Sequence, residues 1–298
     1  MNDLAVRFSG VHKQYRHFHL ADIDLELPTG SIMGFIGANG AGKSTTLRIL
    51  MGLVHQDRGA VEVLGQSMPS QQAQAKADIG FVAEDMRLYK WATLAWHMDF
   101  IASIYPGWDA AYAAELVRRF DIRPEQKMRG MSHGQRVKAG LLLALARRPR
   151  LLVLDEPTTG LDPVARHEVL GALMEVLTDE SRTVLFSSQN TLDVEQISDQ
   201  ITFIDRGRII DSADKESYLE RWRRVRLDVP PDVILPALDD VVARSTTGRL
   251  TVLTSNRFTA AMAEACAAAG ATVNSIETMT LEEIFLANVQ QRREKEAA

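Results

Sequence analysis

The fold is decided by one stretch of the sequence, Gly37-Ala38-Asn39-Gly40-Ala41-Gly42-Lys43-Ser44-Thr45. It matches the pattern G-x-x-x-x-G-K-[ST], in which glycines let backbone N–H groups come close to phosphate oxygens. The apolar residues 31–36 predict a buried strand that enters this loop, and residues 45–51 predict a helix that leaves it. A strand, a glycine-rich loop and a helix in this order predict an α/β domain with a phosphate-binding loop.

The residues of this loop have distinct predicted roles in a P-loop NTPase. Successive backbone N–H groups and the positive end of the following helix are suited to the charge of a nucleoside triphosphate. The Lys43 ammonium is expected near the β- and γ-phosphates, and the Ser44 hydroxyl near a Mg²⁺ ion that bridges them. The predicted nucleotide contacts in the loop are Gly37, Asn39, Gly40, Gly42, Lys43, Ser44 and Thr45.

Composition narrows the class of protein. The chain has 298 residues and a net charge of −5, which disfavours nucleic acid as the main partner. Its single cysteine, Cys266, excludes an internal disulfide, and no His or Cys cluster predicts a zinc site. The sequence has no signal-peptide pattern and no apolar run of the ~18 residues that a membrane span requires. We therefore expect a cytosolic protein, and a different chain must cross the bilayer if this one acts at a membrane.

Two regions differ in their pattern. Up to about residue 214, short apolar strands such as 151–154 and 183–186 alternate with helical segments such as 164–177, which predicts a largely parallel sheet. A basic segment at 221–224 and Pro230-Pro231 then indicate a boundary. The predicted domains are 1–214 and a small accessory domain at 222–298.

The second region predicts an α+β, ferredoxin-like unit with the order βαββαβ. A capping box formed by Thr280 and Glu283 predicts a further helix at the end. The expected strands are 225–229, 241–246, 249–255 and 271–277, and the expected helices are 232–238, 258–269 and 281–290.

Two carboxylates, Asp155 and Glu156, follow the apolar strand 151–154. Acids at the carboxyl end of a buried parallel strand lie where open α/β sheets bind their ligands. We expect Asp155 to hold Mg²⁺ directly or through water, and Glu156 to orient or deprotonate the attacking water. The alternative is that the pair only opens a turn before Pro157.

Several motifs in a fixed order, over residues 3 to about 212, resemble the nucleotide-binding subunit of ATP-binding cassette (ABC) transporters. Met131-Ser132-His133-Gly134-Gln135 is similar to the signature Leu-Ser-Gly-Gly-Gln, and Thr159-Gly160-Leu161-Asp162 is similar to the D-loop. Tyr15 matches the aromatic residue that stacks on adenine. Glu84 stands where the family usually has a glutamine that senses Mg²⁺ and the membrane partner. The resemblance implies ATP and Mg²⁺ as ligands and a helical subdomain at about 86–148.

The signature segment predicts a second phosphate site. A hydroxyl and bare backbone N–H groups precede the helical segment 137–146, so its N-terminus could bind phosphate. The resemblance implies that two chains, this one with a second copy or a paralogous ATPase, enclose each ATP head to tail. The alternative is an ordinary capped helix. The residues assigned to nucleotide here are Ser132, Gly134, Gln135 and Asp162.

Two positions depart from the family pattern. His133 replaces the first glycine of the signature, and its imidazole either donates to a phosphate or points into solvent, which we expect. Gln189 stands where the family has a histidine that contacts the γ-phosphate. Its amide can donate a hydrogen bond but cannot become cationic or relay a proton. We therefore expect hydrolysis supported by Glu156 to be slowed or unusually controlled.

Residues 86–108 are rich in aromatic side chains, a composition that is enriched at protein interfaces. The resemblance implies that this region receives a short coupling helix from a membrane subunit. The alternative is that most rings form the core of the helical subdomain. We expect about a third of them at the interface, with Tyr89 and Trp91 as the best candidates. The rings are Tyr89, Trp91, Trp96, Phe100, Tyr105 and Trp108.

Segments 79–85, 105–109 and 279–286 are most similar to bacterial exporters in which the ATPase and the permease are separate chains. This resemblance implies an ATP-hydrolysing subunit on the cytoplasmic face of the inner membrane. It would power export of drugs, antibiotics or similar compounds by ATP-dependent dimer closure. Two alternatives stay open, a soluble ABC ATPase without transport and the ATPase subunit of an importer. No nucleic-acid partner is expected.

Overall fold

The computed structural model describes residues 4–176 and 182–297. The chain forms two compact units, Met1–Ile209 and Ile210–Ala298. In the described residues, no helix has the length and apolar character needed to cross a bilayer. The elements up to β10, the strand that contains the division, are β1 (Leu4–Gln14), β2 (His19–Pro28), β3 (Ile32–Ile36), α1 (Lys43–Leu50), β4 (Arg58–Val63), β5 (Gln66–Met68), α2 (Gln72–Ala77), β6 (Ile79–Ala83), α3 (Leu94–Ile104), α4 (Ala110–Arg119), α5 (His133–Leu145), β7 (Leu151–Asp155), α6 (Pro163–Val176), β8 (Thr183–Ser188), α7 (Thr191–Ile197), β9 (Gln200–Asp205) and β10 (Arg208–Asp214).

Two sheets organise the first unit. An antiparallel sheet has the strand order β2-β1-β4-β5, and a six-stranded sheet has the order β10-β9-β3-β8-β7-β6. In the second sheet, β3 pairs in parallel with β8 and β9, and β7 pairs in parallel with β6 and β8. Every residue of β3, β7 and β8 is buried, as expected for strands that helices cover on both faces. The prediction of an α/β fold with a largely parallel sheet is confirmed.

This strand order brings the predicted chemical groups together. The phosphate loop follows β3, the acidic pair lies at the end of β7, and β8 lies between these two strands. Because parallel strands present their carboxyl ends at one edge of the sheet, the three following loops meet there. The predicted helix 164–177 corresponds to α6, and its last residue lies outside the described part of the chain.

Helices α3, α4 and α5 begin at side-chain caps. Thr93 accepts a hydrogen bond from the backbone of Trp96 at the start of α3, and Asp109 accepts one from Tyr112 at the start of α4. Each cap satisfies a backbone N–H group that has no partner within the helix. The first turn of α5, in the signature segment, is fixed locally in the same way by Ser132.

The second unit contains the predicted strands in a four-stranded antiparallel sheet of order β12-β13-β11-β14. Val225, Leu227, Leu253 and Cys266 are among the residues of its core. The Thr280–Glu283 capping box is present, and the helix that it starts extends to residue 297 rather than 290. The elements after the division are α8 (Lys215–Arg221), β11 (Arg223–Asp228), β12 (Val241–Thr247), β13 (Leu250–Ser255), α9 (Ala260–Ala268), β14 (Thr272–Thr278) and α10 (Leu281–Ala297).

One predicted element of this unit is wrong. Residues 232–238 form the end of a turn and irregular chain instead of a helix. Pro236 has no N–H to donate, and a proline disfavours the helical conformation at the residue before it, here Leu235. The unit therefore keeps the four strands of the predicted βαββαβ order but only the second of its two helices.

Candidate nucleotide-binding site

The phosphate loop has a conformation that requires glycine. Gly40 and Gly42 have φ values of 78° and 117°, a region that side chains rarely adopt. A Cβ atom at Gly37 would lie 2.5 Å from the carbonyl oxygen of Ile204, so this position has no room for a side chain. No side chain caps α1, which leaves the N–H groups of its first turn facing the loop. The loop and the helix together form a cradle for an anion.

Lys43 lies buried beside this loop. Its Nζ atom donates to the carbonyl oxygens of Gly37 at 2.6 Å and Ala38 at 3.2 Å, and it forms an ion pair with Glu156 Oε1 at 3.0 Å. The side chains of Lys43 and Glu156 are only 5% and 6% exposed. The structure thus brings together the predicted phosphate-binding cation and the predicted catalytic carboxylate, which the sequence separates by more than a hundred residues.

Asp155 and Glu156 are fixed by a serine on the neighbouring strand. Ser187 Oγ donates to Asp155 Oδ1 at 2.7 Å, and the backbone N–H of Glu156 donates to the same Oγ at 3.0 Å. Glu156 has a φ of 52°, an uncommon conformation for a residue with a side chain. Ser187 pairs with Asp155 in the parallel register of β7 and β8, so one hydroxyl contacts both acidic residues. Sequence reasoning missed this residue.

The second oxygen of Glu156 is also engaged. Thr159 Oγ1 donates to Glu156 Oε2 at 2.9 Å, and the backbone N–H of Gln189 lies 3.3 Å from the same oxygen. The Gln189 side chain is exposed, and no hydrogen bond from it is found in residues 4–176 and 182–297. Gln189 therefore contacts the predicted catalytic carboxylate through its backbone. Thr159 was predicted only as part of the D-loop, without this contact.

The predicted metal-binding residues lie around the same edge of the sheet. Ser44 is half-buried in the first turn of α1, and Glu84 directly follows β6, whose last residue pairs with Asp155. Glu84, Asp155 and Glu156 line one cavity of about 440 Å³. No group of three or more His, Cys, Asp or Glu residues suited to a metal ion occurs in the described residues. The oxygen donors here fit a Mg²⁺ ion that also binds phosphate oxygens.

Tyr15 lies between β1 and β2 and is 40% exposed. Its ring is stacked on Phe18 with 6.5 Å between centroids, and Lys13 Nζ lies 5.7 Å from its centroid. The ring is therefore available to a further planar group. Its predicted contact with adenine stays a prediction.

The signature segment begins α5 with a complete capping box. Gln135 N–H donates to Ser132 Oγ at 3.2 Å, and Ser132 N–H donates to Gln135 Oε1 at 2.9 Å. Asp162 makes a similar cap for α6, where its Oδ1 accepts from the N–H groups of Val164 and Ala165, both at 3.0 Å. The bond from Ala165 holds the pKa of Asp162 below its ordinary value. Capping is present at both predicted sites, and their contacts with nucleotide stay predictions.

His133 does not point away into solvent, so this expectation is corrected. The residue is exposed, but its Nε2 atom lies 3.0 Å from the carbonyl oxygen of Thr159. Because a carbonyl oxygen only accepts, the Nε2–H tautomer makes this bond. A glycine has no side chain to make this contact, which is why the family pattern gave no indication of it.

The aromatic residues of segment 86–108 are more exposed than predicted. Tyr89 and Trp91 are 66% and 70% exposed, and Trp96 and Phe100 are also exposed. Tyr89, Trp96 and Phe100 form a continuous aromatic patch, with ring centroids 5.6 Å and 5.2 Å apart. The other two rings, Tyr105 and Trp108, are half-buried, so none of the six rings is fully buried. The alternative of a mainly internal aromatic core is therefore wrong for this segment.

The phosphate loop, the acidic strand end and the capped signature helix define a P-loop nucleotide-binding domain. The family model described as ABC transporter matches residues 20–159. The chain is 30% identical to the ABC transporter ATP-binding protein YtrB of Bacillus subtilis (strain 168), over 72% of this chain and 74% of that protein. It is 31% identical to the daunorubicin resistance ATP-binding protein DrrA3 of Streptomyces coeruleorubidus, over 77% and 74%.

Solved structures agree with the sequence relatives. A structure of the ATP-binding subunit of an ABC transporter covers 72% of this chain and 92% of its own, with 26% identity and a TM-score of 0.66. The chain belongs to the ABC transporter family and is an ATP-binding subunit of a transporter. Members of this class are generally ATP hydrolases. The resemblance to ABC transporter nucleotide-binding subunits that the motifs indicated is confirmed.

Proposed function

We propose that this chain is the ATP-hydrolysing subunit of an exporter, that it acts on a separate permease, and that it lies at the cytoplasmic face of the inner membrane. The observation that carries ATP hydrolysis in this proposal is the buried pair of Lys43 and Glu156, with 3.0 Å between Nζ and Oε1, between the phosphate loop and the end of β7. A cation for phosphate and a carboxylate for water are the two groups that phosphoryl transfer to water needs at this position.

The loop residues hold the nucleotide in this proposal. Backbone N–H groups of the loop and of α1 bind the phosphates, and Tyr15 stacks on the adenine. Ser44 and Asp155 would hold Mg²⁺, and Glu84 lines the same cavity as Asp155. A bound Mg²⁺ neutralises charge on the phosphates. Burial of the Asp155 carboxylate supports this assignment, since a carboxylate with 4% exposure is stabilised by a nearby cation.

Glu156 receives a proton from the attacking water. In the structure its Oε1 is paired with Lys43, so the carboxylate becomes available when the Lys43 ammonium turns towards the phosphates. Ser187 and Thr159 keep the backbone and Oε2 of Glu156 in place during this exchange. Entry of the triphosphate therefore both recruits the cation and frees the base.

Gln189 makes this turnover slow or unusually controlled. Its backbone N–H contacts Glu156, while its side chain stays exposed. A neutral amide there orients the γ-phosphate by a hydrogen bond but offers neither a positive charge nor a proton. Hydrolysis then depends mainly on Glu156 and Lys43.

The signature segment completes the site of a second chain, either another copy or a paralogous ATPase. The capping box uses the N–H group of Gln135, whereas the first N–H groups of α5, from His133 and Gly134, have no intrahelical partner. These N–H groups donate to the γ-phosphate of the ATP that is bound in the partner's phosphate loop. Ser132, Gln135 and Asp162 lie around that phosphate in the proposed dimer. ATP thus stabilises a closed dimer, and hydrolysis reopens it.

The aromatic patch of Tyr89, Trp96 and Phe100 is the proposed contact for the permease, together with Trp91. Exposed rings that contact one another supply a large apolar area, which residues at the centre of protein interfaces typically do. Export is favoured by relatives of this chain that include daunorubicin resistance ATP-binding proteins from two Streptomyces species. Drugs, antibiotics or similar compounds are the proposed cargo.

Affinity purification of the full chain from membranes tests this proposal. The expected result is a stoichiometric integral-membrane protein that is lost with Trp96→Ala, while Glu264→Ala, an exposed change in α9, keeps it. The complex should hydrolyse ATP. An ATP-dependent dimer without any membrane partner would support a soluble ABC ATPase instead. Co-purification with a permease that takes up its substrate in vesicles would support an importer.

A further inference from the structure

His133 connects two parts of the chain that serve different nucleotide sites in the proposed dimer. Its Nε2 atom lies 3.0 Å from the carbonyl oxygen of Thr159, across 26 positions of sequence. The ring also lies against Gly160, where an added Cβ would be 3.4 Å from two ring atoms. The start of α5 and the segment after β7 are thus joined by a side chain.

Thr159 continues this connection to the catalytic carboxylate. Its carbonyl oxygen accepts from His133, and its hydroxyl donates to Glu156 Oε2 at 2.9 Å. Glu156 is 7% exposed, so a bond to its carboxylate acts in a poorly hydrated environment, where hydrogen bonds are stronger. A displacement of the Thr159 backbone therefore changes the hydrogen bonding of Glu156.

We propose that His133 is a positioning residue that couples the two nucleotide sites of the dimer through Thr159. This inference rests on the proposed function. In that dimer the signature segment of a chain contacts ATP on its partner, whereas Glu156 acts on ATP in its own loop. Engagement of Ser132 and the α5 N-terminus by the partner's ATP fixes His133, and His133 then fixes Thr159 and the orientation of Glu156.

The imidazole is the part that provides this coupling. A glycine at residue 133 would leave the carbonyl of Thr159 without this donor and would leave the orientation of Glu156 to Thr159, Ser187 and Gln189 alone. Loss of the imidazole should change the rate of the chemical step and not ATP binding, because His133 touches neither the proposed adenine site nor the phosphate loop. We therefore expect kcat to change and KM to stay nearly constant.

ATP turnover of the complex with its permease tests the role of the side chain. His133→Ala should lower kcat about tenfold, an amount that one well-placed hydrogen bond can supply, and should leave KM within about twofold. His133→Gln should retain most of kcat, because its amide nitrogen reaches as far as Nε2. His167→Ala, an exposed histidine in α6, is the matched control. A normal kcat in His133→Ala overturns the inference, and so does an equal loss in His133→Gln.

A double-mutant cycle tests the route through Thr159. Thr159→Val removes the hydroxyl that contacts Glu156 but keeps the backbone carbonyl. If both residues act in one chain of contacts, the double variant His133→Ala with Thr159→Val loses no more than the larger single loss. Fully additive losses would overturn the proposed route.

Mixed dimers show in which site His133 acts. One chain keeps Glu156 and the other carries Glu156→Gln, so only one site turns over. The inference expects a loss when His133→Ala is in the chain that keeps Glu156. A loss only when it is in the other chain would mean direct contact with the partner's phosphate and would overturn the inference. The proposed function fails on different results, namely if the unmodified complex neither hydrolyses ATP nor forms ATP-dependent dimers, or if no membrane protein co-purifies with the chain.

Discussion

The two helix N-termini assigned to phosphate, those of α1 and α5, are built in opposite ways. At α1 the N-cap is Gly42, no side chain caps the helix, and Lys43 is buried against Glu156. At α5 the N-cap is Ser132, which forms a closed capping box with Gln135. Both Ser132 and His133 at this second terminus are exposed.

This difference indicates that the first site is prepared within the chain and the second is prepared for a partner. A buried terminus without a cap needs a ligand for its N–H groups, and the loop geometry provides the space for one. An exposed terminus with its own cap is stable in water before anything binds. In the proposed function, a molecule that carries one of each binds nucleotide alone but completes its site only by pairing.

The largest expected effect concerns the prepared site. Glu156→Gln keeps the size of the side chain but removes the base, so ATP turnover should fall at least about a hundredfold. ATP binding should persist, and the closed dimer should accumulate. Glu62→Gln, an exposed change in β4, is the control. Turnover in the purified complex and dimer content by size-exclusion chromatography are the measurements, and wild-type turnover in Glu156→Gln would remove this residue from the chemistry.

The capped terminus should show a smaller effect that depends on the dimer. Ser132→Ala should weaken ATP-dependent dimerisation about tenfold, while the ATP affinity of the isolated chain stays unchanged, because Ser132 faces the partner's nucleotide in the proposed dimer. Thr93→Ala is the matched control, because it removes a comparable cap from α3. We expect it to cost about 1 kcal/mol of folding stability, as the loss of the Ser132 cap does. Equal ATP-dependent dimerisation in both variants would show that Ser132 acts only as a helix cap.

Gln189→His should sharpen the contrast between the two termini by adding a cationic donor at the prepared site. We expect turnover to rise several-fold, on the order of 1 kcal/mol in activation free energy. Gln290→His, an exposed change in α10, controls for an added histidine elsewhere. Single-turnover rates of the complex are the measurement, and an unchanged rate would show that residue 189 does not limit hydrolysis.

The smallest effect concerns the cap of α6 next to the signature helix. The N–H of Ala165 lowers the pKa of Asp162, so the ionised form is favoured in the folded state. The stabilisation of the folded state by ionised Asp162 is fully present at pH values above the ordinary carboxyl pKa of about 3.9. It is lost as the pH falls through the lower pKa that Asp162 has in the folded state. Asp162→Asn keeps the acceptor without a titrating group, so its cap should persist in acid. Acid-unfolding curves that coincide for both proteins would contradict this linkage.

Local chemistry explains most of what could be predicted. The glycines of the phosphate loop, the acids after an apolar strand, and the Thr280–Glu283 box each act within a few residues. A short sequence pattern is therefore enough to predict each of these local structures. The helix predicted at 232–238 failed for the same kind of reason, since a single proline outweighed the neighbouring apolar residues.

Contacts between distant segments explain what could not be predicted. Ser187 reaches Asp155 across 32 positions because β7 and β8 pair in one parallel register, and His133 reaches Thr159 because α5 begins beside the D-loop. Neither pair forms a pattern in the sequence.

By itself, the sequence determined the class of the protein and the identity of its phosphate-binding and acidic groups, because these depend on residue type and short spacing. The tertiary structure alone decided which oxygen of Glu156 meets Lys43 and which meets Thr159, and that His133 holds the D-loop. Such contacts depend on strand register and helix placement, which are fixed by the burial of the whole domain and not by any single segment.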